Sequence, residues 1–363
     1  MSKKILHPGI TLNILLEERK LSQRDLADRI DVAYSLLNNV LKGNRNINTS
    51  LAIAFESAGL KEANYWLIEQ MKYNLDLANN SKEVIEKKKS IEEWKELESL
   101  VPLAYLKKQE LGVNSSEDIS KVYEMYQVSN ISGLKELIQT YNPVYFRKSS
   151  KFKQNKENIL AWSLLAEYKL KQEIVGVFDR DLESNLINEL NQCFYENKRV
   201  IDNSSKILAK YGIKFIILDR PPQTPVDGKS FMLEGVPAIA LTLKYKRLDN
   251  FAFTLMHEIA HVFEHLTNPQ KPEYREAEFF INTSKMDLVE FEADSYSSDK
   301  LINQAIFDDF VASNDDYSDE AILHFAKLNK VHPGIVRGRI CFEFPEYYRK
   351  RSSVTNMNRL KLK

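Results

Sequence analysis

Two histidines four residues apart, with a glutamate directly after the first, form the clearest chemical signal in the chain: Phe253-Thr-Leu-Met-His257-Glu258-Ile259-Ala260-His261. On a helix, positions i and i+4 lie on one face, so His257 and His261 can present two imidazole nitrogens to a single zinc ion. Glu258, beside them but off that face, is placed to act as a general base on a water at the metal. Leu255, Met256, Ile259, Ala260, Val262 and Phe263 surround the pair with apolar or small side chains, so the helix is expected to be buried.

A catalytic zinc keeps three protein ligands and one open position. The third is sought in Leu288-Val-Glu290-Phe-Glu292-Ala-Asp294, a segment of helical character running to Leu301. Glu290 and Asp294 share a face. Glu290 would then bind the metal while Asp294 accepts a hydrogen bond from a ligand histidine. Glu292 points away on a helix but remains the rival ligand. His265 continues the 257/261 face a turn too far and is expected to be a satisfied or surface histidine. His324 and His332 stand in no motif.

The elements that must position these residues change character at Gly212. Ile213–Leu218 reads as a strand, and Phe231–Leu233 and Ala238–Leu243 flank a Glu234-Gly235 turn as in a hairpin. The metal helix then starts near Leu248. Upstream, residues 101–210 are mostly helical, with apolar periodicity at Leu160–Leu170 and Leu182–Tyr195, and residues 77–100 read as a polar, Lys/Glu-rich helix. Residues 1–76 read as short helices with tight turns. Ser22 is an N-cap with Asp25 at the capping-box position, and a further helix over Ala33–Leu41 stops at Gly43-Asn44.

Composition narrows the class. Lys plus Arg and Asp plus Glu are 51 each, so no global polyanion-binding charge exists. Two cysteines, Cys193 and Cys341, are too few for a disulfide framework or thiolate metal site. There is no apolar run of membrane-spanning length and no secretory leader, so a cytoplasmic protein with no membrane partner is expected. Local asymmetry is strong. Glu273–Glu320 holds fourteen acidic and three basic residues, and Arg337–Lys363 eight basic and two acidic; such blocks are solvated or mutually neutralising faces, or docking surfaces.

Residues 226–262, from Val226-Asp-Gly-Lys-Ser-Phe through Pro237-Ala-Ile-Ala-Leu-Thr and Arg247-Leu-Asp-Asn-Phe to the His-Glu-Ile-Ala-His motif, resemble the ImmA/IrrE family of zinc metallopeptidases. So do Glu290-Phe-Glu-Ala-Asp294-Ser-Tyr and the closing Phe325-Ala-Lys to His332-Pro-Gly-Ile-Val-Arg-Gly-Arg339. The resemblance covers about Lys206 to Phe344. It implies a gluzincin-like endopeptidase on a zincin-like α+β fold, with Zn2+ on His257, His261 and Glu290 and with Glu258 as the catalytic base. It favours Glu290 over Glu292, because family members that replace the second glutamate keep the first. The family's Leu-Met-Pro after the acidic helix is replaced here by Leu301-Ile-Asn-Gln.

The N-terminal region resembles the helix-turn-helix of HigA-type antitoxins, through His7-Pro-Gly, Leu21-Ser-Gln-Arg-Asp-Leu-Ala, Val40-Leu-Lys-Gly-Asn-Arg45-Asn-Ile and Asn64-Tyr-Trp-Leu. On that reading Gln23 clamps a phosphate, Tyr34, Ser35, Asn38 and Asn39 meet base edges in the major groove, and Arg45 lies near a phosphate. The segment through Asp76 holds ten basic and nine acidic residues. So neutral a module implies weak binding or a homodimer. The stretch Tyr145–Lys153 mixes aromatic and basic residues and is expected to be structural.

The expected architecture is therefore α+β and mainly helical. It has a helix-turn-helix domain over residues 1–76, a helical middle region over 77–205, a metallopeptidase domain with a small sheet over 206–345, and a basic tail over 346–363. The expected function is a DNA-binding transcriptional regulator that cleaves a repressor- or antitoxin-type protein. The competing expectation is a non-proteolytic antitoxin that binds its own promoter and a partner toxin, with the zinc domain as scaffold or sensor.

Overall fold

The computed structural model describes residues 5–141, 155–224, 226–280, 288–314 and 316–361. The chain divides into two compact units, Met1–Glu93 and Trp94–Lys363. It is mainly helical, with one small sheet. Among the described residues no helix is long and apolar enough to cross a membrane.

The first unit holds α1 (Pro8–Glu18), α2 (Gln23–Arg29), α3 (Tyr34–Leu41), α4 (Thr49–Ser57), α5 (Ala63–Asn79) and the start of α6 (Lys82–Leu100). His7 opens α1 by accepting the Gly9 N–H on Nδ1 at 3.0 Å, and Pro8 takes a first-turn position whose N–H has no helical partner. Ser22 caps α2 by accepting the Asp25 N–H at 3.1 Å. The expected reciprocal half of a capping box is replaced, because the Ser22 hydroxyl donates to the Asp25 carboxylate at 2.6 Å. Leu12, Leu16, Leu26, Leu37, Val40, Phe55 and Trp66 close the core. Gly9 lets α1 cross α3 closely: a Cβ there would stand 1.9 Å from the Val40 carbonyl oxygen.

The second unit starts inside α6 and continues through α7 (Leu103–Lys108), α8 (Ile119–Tyr126), α9 (Ile131–Thr140), α10 (Lys156–Leu170), α11 (Glu183–Glu196) and α12 (Val200–Lys210). The strands are β1 (Lys214–Ile217), β2 (Gly228–Leu233), β3 (Val236–Leu241) and the two-residue β4 (Phe279–Phe280), in the order β1-β3-β2-β4. β1 runs parallel to β3, while β2 is antiparallel to both β3 and β4. The β2–β3 turn is the expected Glu234-Gly235, with φ of 52° and 82°, the positive values a two-residue hairpin turn needs.

Alternation along β3 sends successive side chains to opposite faces of the sheet. Ile239 and Leu241 join a core with α11, α12 and the helices that follow the sheet. Ala240 joins Leu97, Val101, Leu106, Val122, Leu134, Trp162 and Leu165. Within the expected middle region, the helices from the end of α6 to α10 thus cover the second face of the sheet, while α11 packs on the first. The break expected between residues 205 and 206 has no counterpart in the packing; the division falls at Glu93–Trp94 instead. The physical reason is visible in β3, Val-Pro-Ala-Ile-Ala-Leu, a continuous apolar run of the kind a strand buried on both faces requires.

Beyond the sheet come α13 (Leu248–Ala260), α14 (Leu288–Leu301), α15 (Gln304–Ala312), α16 (Asp319–Asn329), α17 (Pro333–Glu343) and α18 (Val354–Met357). His332 opens α17 by the same device as His7, accepting the Gly334 N–H on Nδ1 at 3.0 Å. Residues 346–363, expected as a basic tail, are packed as far as they are described. Val354 and Leu360 are buried, and Leu360 donates its N–H to the Lys246 carbonyl at 3.1 Å. Asn358 caps α13, accepting the Asp249 N–H on Oδ1 at 2.9 Å and the Leu248 N–H on its carbonyl at 2.8 Å. Apolar anchors and a distant cap outweigh the segment's charge.

Candidate metal centre

α13 carries the metal motif into the core. His257, Glu258 and His261 are all buried, and after Ala260 the helix continues as a π-helical turn, His261–Leu266, a local widening frequent at functional sites. α14 lies against it. His257, His261 and Glu290 bring one donor atom each to within 4.8 Å of one another. The two Nε2 atoms are 3.0 Å apart, and Glu290 places Oε2 3.3 Å from Nε2 of His257 and Oε1 3.5 Å from Nε2 of His261.

Two nitrogens each about 2.0–2.1 Å from a tetrahedral zinc are about 3.3–3.4 Å apart. The three observed separations bracket that value. Two imidazoles and one carboxylate are also a donor set that zinc prefers, so the residues fit the ion.

The supports differ from one of these donors to the next. His257 Nδ1 lies 2.8 Å from Asp294 Oδ1, which fixes the ring with Nε2 toward the cluster. His261 stacks on Phe279 with centroids 4.5 Å apart and planes 3° apart, and its Nδ1 faces His265 Nδ1 at 3.2 Å. His265 is buried and satisfied, and the surface alternative falls away. Glu292 does not join the cluster. It contacts His265 Nε2 at 3.0 Å and Lys271 Nζ at 2.7 Å.

Electrostatics separates the carboxyl groups. Burial would lower the His257 pKa, but Asp294 and Glu290, with Glu258, raise it to about 9. Burial lowers His261 to about 3, against the pull of Glu290. Glu290 itself is pushed up by burial yet held at about 2 by the two histidines. For Glu258 burial wins: helped by the Glu290 charge, it pushes the carboxyl up to about 8, partly opposed by His257 and Ser230. It is a carboxyl able to hold or release a proton near neutrality.

Glu258 is not among the converging donors. Its Oε2 accepts the Ser230 hydroxyl, the same hydroxyl lies 2.9 Å from the Glu258 carbonyl, and Oε1 is buried with no hydrogen-bond partner among the described residues. Ser230 lies in the Val226-Asp-Gly-Lys-Ser-Phe stretch, but the sequence assigns it no role, and its place beside Glu258 is recognised only in the fold. Its one signal is the strand alternation of Gly228-Lys229-Ser230, which turns Ser230 to the α13 side. Lys229, on the opposite face, meets Ser163 and Glu167 of α10 and Glu278, at 2.6, 2.8 and 2.8 Å.

In the first unit, Tyr34, Ser35 and Asn39 are exposed and Asn38 half-buried, a spacing of i, i+1, i+4 and i+5 that places all four on one face of α3. The opposite face, Leu37, Val40 and Leu41, is core. Gln23 begins α2 and donates from Nε2 to Asn13 Oδ1 at 3.3 Å. Arg45 is exposed just past α3, with its N–H on the Asn39 carbonyl at 3.2 Å. Of the stretch 145–153, no residue is among those described.

Residues 12–58 match the Helix-turn-helix family, so the chain carries an N-terminal helix-turn-helix domain. No curated protein matches the chain. Among solved structures it is similar to an addiction module antidote protein of the HigA family from Coxiella burnetii, at 27% identity and a TM-score of 0.22; the match covers 23% of this chain and 95% of that one.

Proposed function

We propose that this protein is a DNA-binding regulator whose second unit is a zinc-dependent endopeptidase acting on a repressor- or antitoxin-type protein. One observation carries the enzymatic half: His257, His261 and Glu290 converge from two helices beside the buried carboxyl of Glu258. The resemblance of residues 226–262 to ImmA/IrrE peptidases supports the same reading.

A zinc ion held there would supply Lewis acidity, polarising a peptide carbonyl and easing deprotonation of a water. The chain's own residues do the rest. Glu258 would take a proton from the water and return it to the departing amine, the paired base and acid roles of a positioned carboxyl. Ser230 anchors one oxygen of that carboxyl. Asp294 keeps His257 oriented. The acidic Glu273–Glu320 block favours a substrate segment rich in Lys or Arg, because complementary charge steers encounter.

The test is co-expression of wild type and Glu258→Gln with proteins encoded beside this chain, following partner length by mass spectrometry. Shortened partner with wild type alone is the expected result. Intact partner in both strains, held in a stable complex, replaces the peptidase with the non-proteolytic antitoxin reading.

For the regulatory half, the α3 face of Tyr34, Ser35, Asn38 and Asn39 is the base-reading surface, with Gln23 and Arg45 at phosphates. Exposed Ile68, Met71 and Leu75 form an apolar stripe on α5 and support a homodimer, whose half-sites would lie about one helical turn apart. Replacing Asn38 and Asn39 by Ala should relax sequence preference, since each bidentate pairing of an amide with a base is worth roughly 1–3 kcal/mol of discrimination. Gel shifts that show no preference of the wild type for its own promoter over random DNA would refute this assignment.

A further inference from the structure

His265 and Glu292 lie outside the converging donor set yet are joined to it by an unbroken run of short polar contacts. His265 is fully buried, with the Phe279 ring 5.3 Å away and Tyr274 edge-on at 5.5 Å. The run goes from Lys271 Nζ to Glu292 Oε2 at 2.7 Å, on to His265 Nε2 at 3.0 Å, and from His265 Nδ1 to His261 Nδ1 at 3.2 Å.

With His265 neutral, as its burial favours, only one arrangement of protons satisfies every contact in this run. Glu292, paired with Lys271, can only accept, so His265 carries its hydrogen on Nε2. A neutral imidazole with Nε2–H has its lone pair on Nδ1, which must accept from His261. His261 therefore carries its hydrogen on Nδ1 and keeps a lone pair on Nε2, the atom 3.0 Å from Nε2 of His257. The reverse assignment would set a bare His265 nitrogen against the Glu292 carboxylate.

We propose that His265, backed by Glu292 and Lys271, is a positioning residue that fixes the tautomer and ring orientation of His261 and so sets the metal affinity of the centre. The inference rests on the zinc reading above. It also explains an asymmetry between the ligands. His257 reaches its carboxylate, Asp294, directly, whereas the fully buried His261 is joined to one through a second imidazole. Outer partners of ligand histidines are worth about 10–100-fold in metal affinity.

The full-length chain, stripped with a chelator, is titrated with zinc in competition with a chromophoric chelator, and the metal-free melting temperature is recorded for each variant. His265→Phe keeps a ring but loses both nitrogens and is expected to weaken zinc binding by about 10–100-fold. His265→Asn, whose Oδ1 can accept from His261 Nδ1–H, is expected to recover most of that loss. Glu292→Ala, at a partly exposed side chain that tolerates truncation, should fall between wild type and His265→Phe. Wild-type affinity in Glu292→Ala, or equal losses in the Phe and Asn variants, would overturn the proposal and leave His265 a packing residue. Failure of the wild type to bind zinc at all is a separate result, and it defeats the metal reading itself.

Discussion

Glu290→Ala is expected to strip the protein of zinc, whereas Glu292→Ala should still load fully when zinc is in excess. Glu290 reaches both Nε2 atoms, at 3.3 and 3.5 Å; Glu292 is engaged on the far side of His261 with His265 and Lys271. Zinc sites built from side chains bind with roughly 10–16 kcal/mol, and losing one of three ligands should forfeit roughly a third of that, on the order of 10³-fold in affinity. Elemental analysis of purified wild type should give about one zinc per chain, and the same measurement on Glu290→Ala should give background. Because an ion bound only by the folded state stabilises it by mass action, added zinc should raise the melting temperature of wild type and leave that of Glu290→Ala where it was. Equal zinc content in the two proteins would remove Glu290 from the ligand set.

The residues of this centre differ in how far their chemistry is legible in the sequence, and the difference follows from the range of the interaction. His257 and His261 are local on one helix with Glu258 between them, and Glu290 and Asp294 are local on another, so helical periodicity alone places each pair on a common face and Glu258 beside the first. The hairpin of β2 and β3 is equally local. The π-helical turn at His261–Leu266 is not, because it breaks the regular spacing on which a reading of His265 depends; extrapolating the helix sends that ring past the cluster, whereas the widened turn sets it behind His261. Asn358 caps α13 from 109 residues away, and nothing in the charged segment around it marks a cap. β4 has two residues, too few for an alternation to be seen. The helices over residues 97–170 read as a separate region because their apolar stripes are ordinary. Only the second apolar face of the sheet shows where those stripes go.

On the zinc-peptidase function proposed above, Gly228→Ala is expected to leave the metal in place and still abolish most of the cleavage. Gly228 begins β2 and pairs with Leu241 of β3. A Cβ on it would stand 2.1 Å from Glu258 Oε1, 2.9 Å from Glu258 Cδ and 2.9 Å from Leu241 Cδ2. The strand is held by its ladder to β3 and cannot retreat without breaking the pairing. The Glu258 carboxyl must therefore give way, although it is fully buried and tied to Ser230. A displacement of about 1 Å in a reacting geometry costs on the order of 10² in rate, and a positioned proton-transfer group contributes about 10²–10⁴, so a fall of at least about 10²-fold is expected. Overpacking should also lower stability by roughly 1–3 kcal/mol, which chemical denaturation of the full chain would record. The three atoms nearest the added methyl group belong to Glu258 and Leu241, none to His257, His261 or Glu290, so zinc content should match wild type. Zinc-loaded Gly228→Ala that cleaves its partner at the wild-type rate would show that the Glu258 carboxyl need not occupy this pocket to work; zinc-loaded protein with the cleavage abolished places the chemistry on Glu258 and gives the β2 strand its role in holding it.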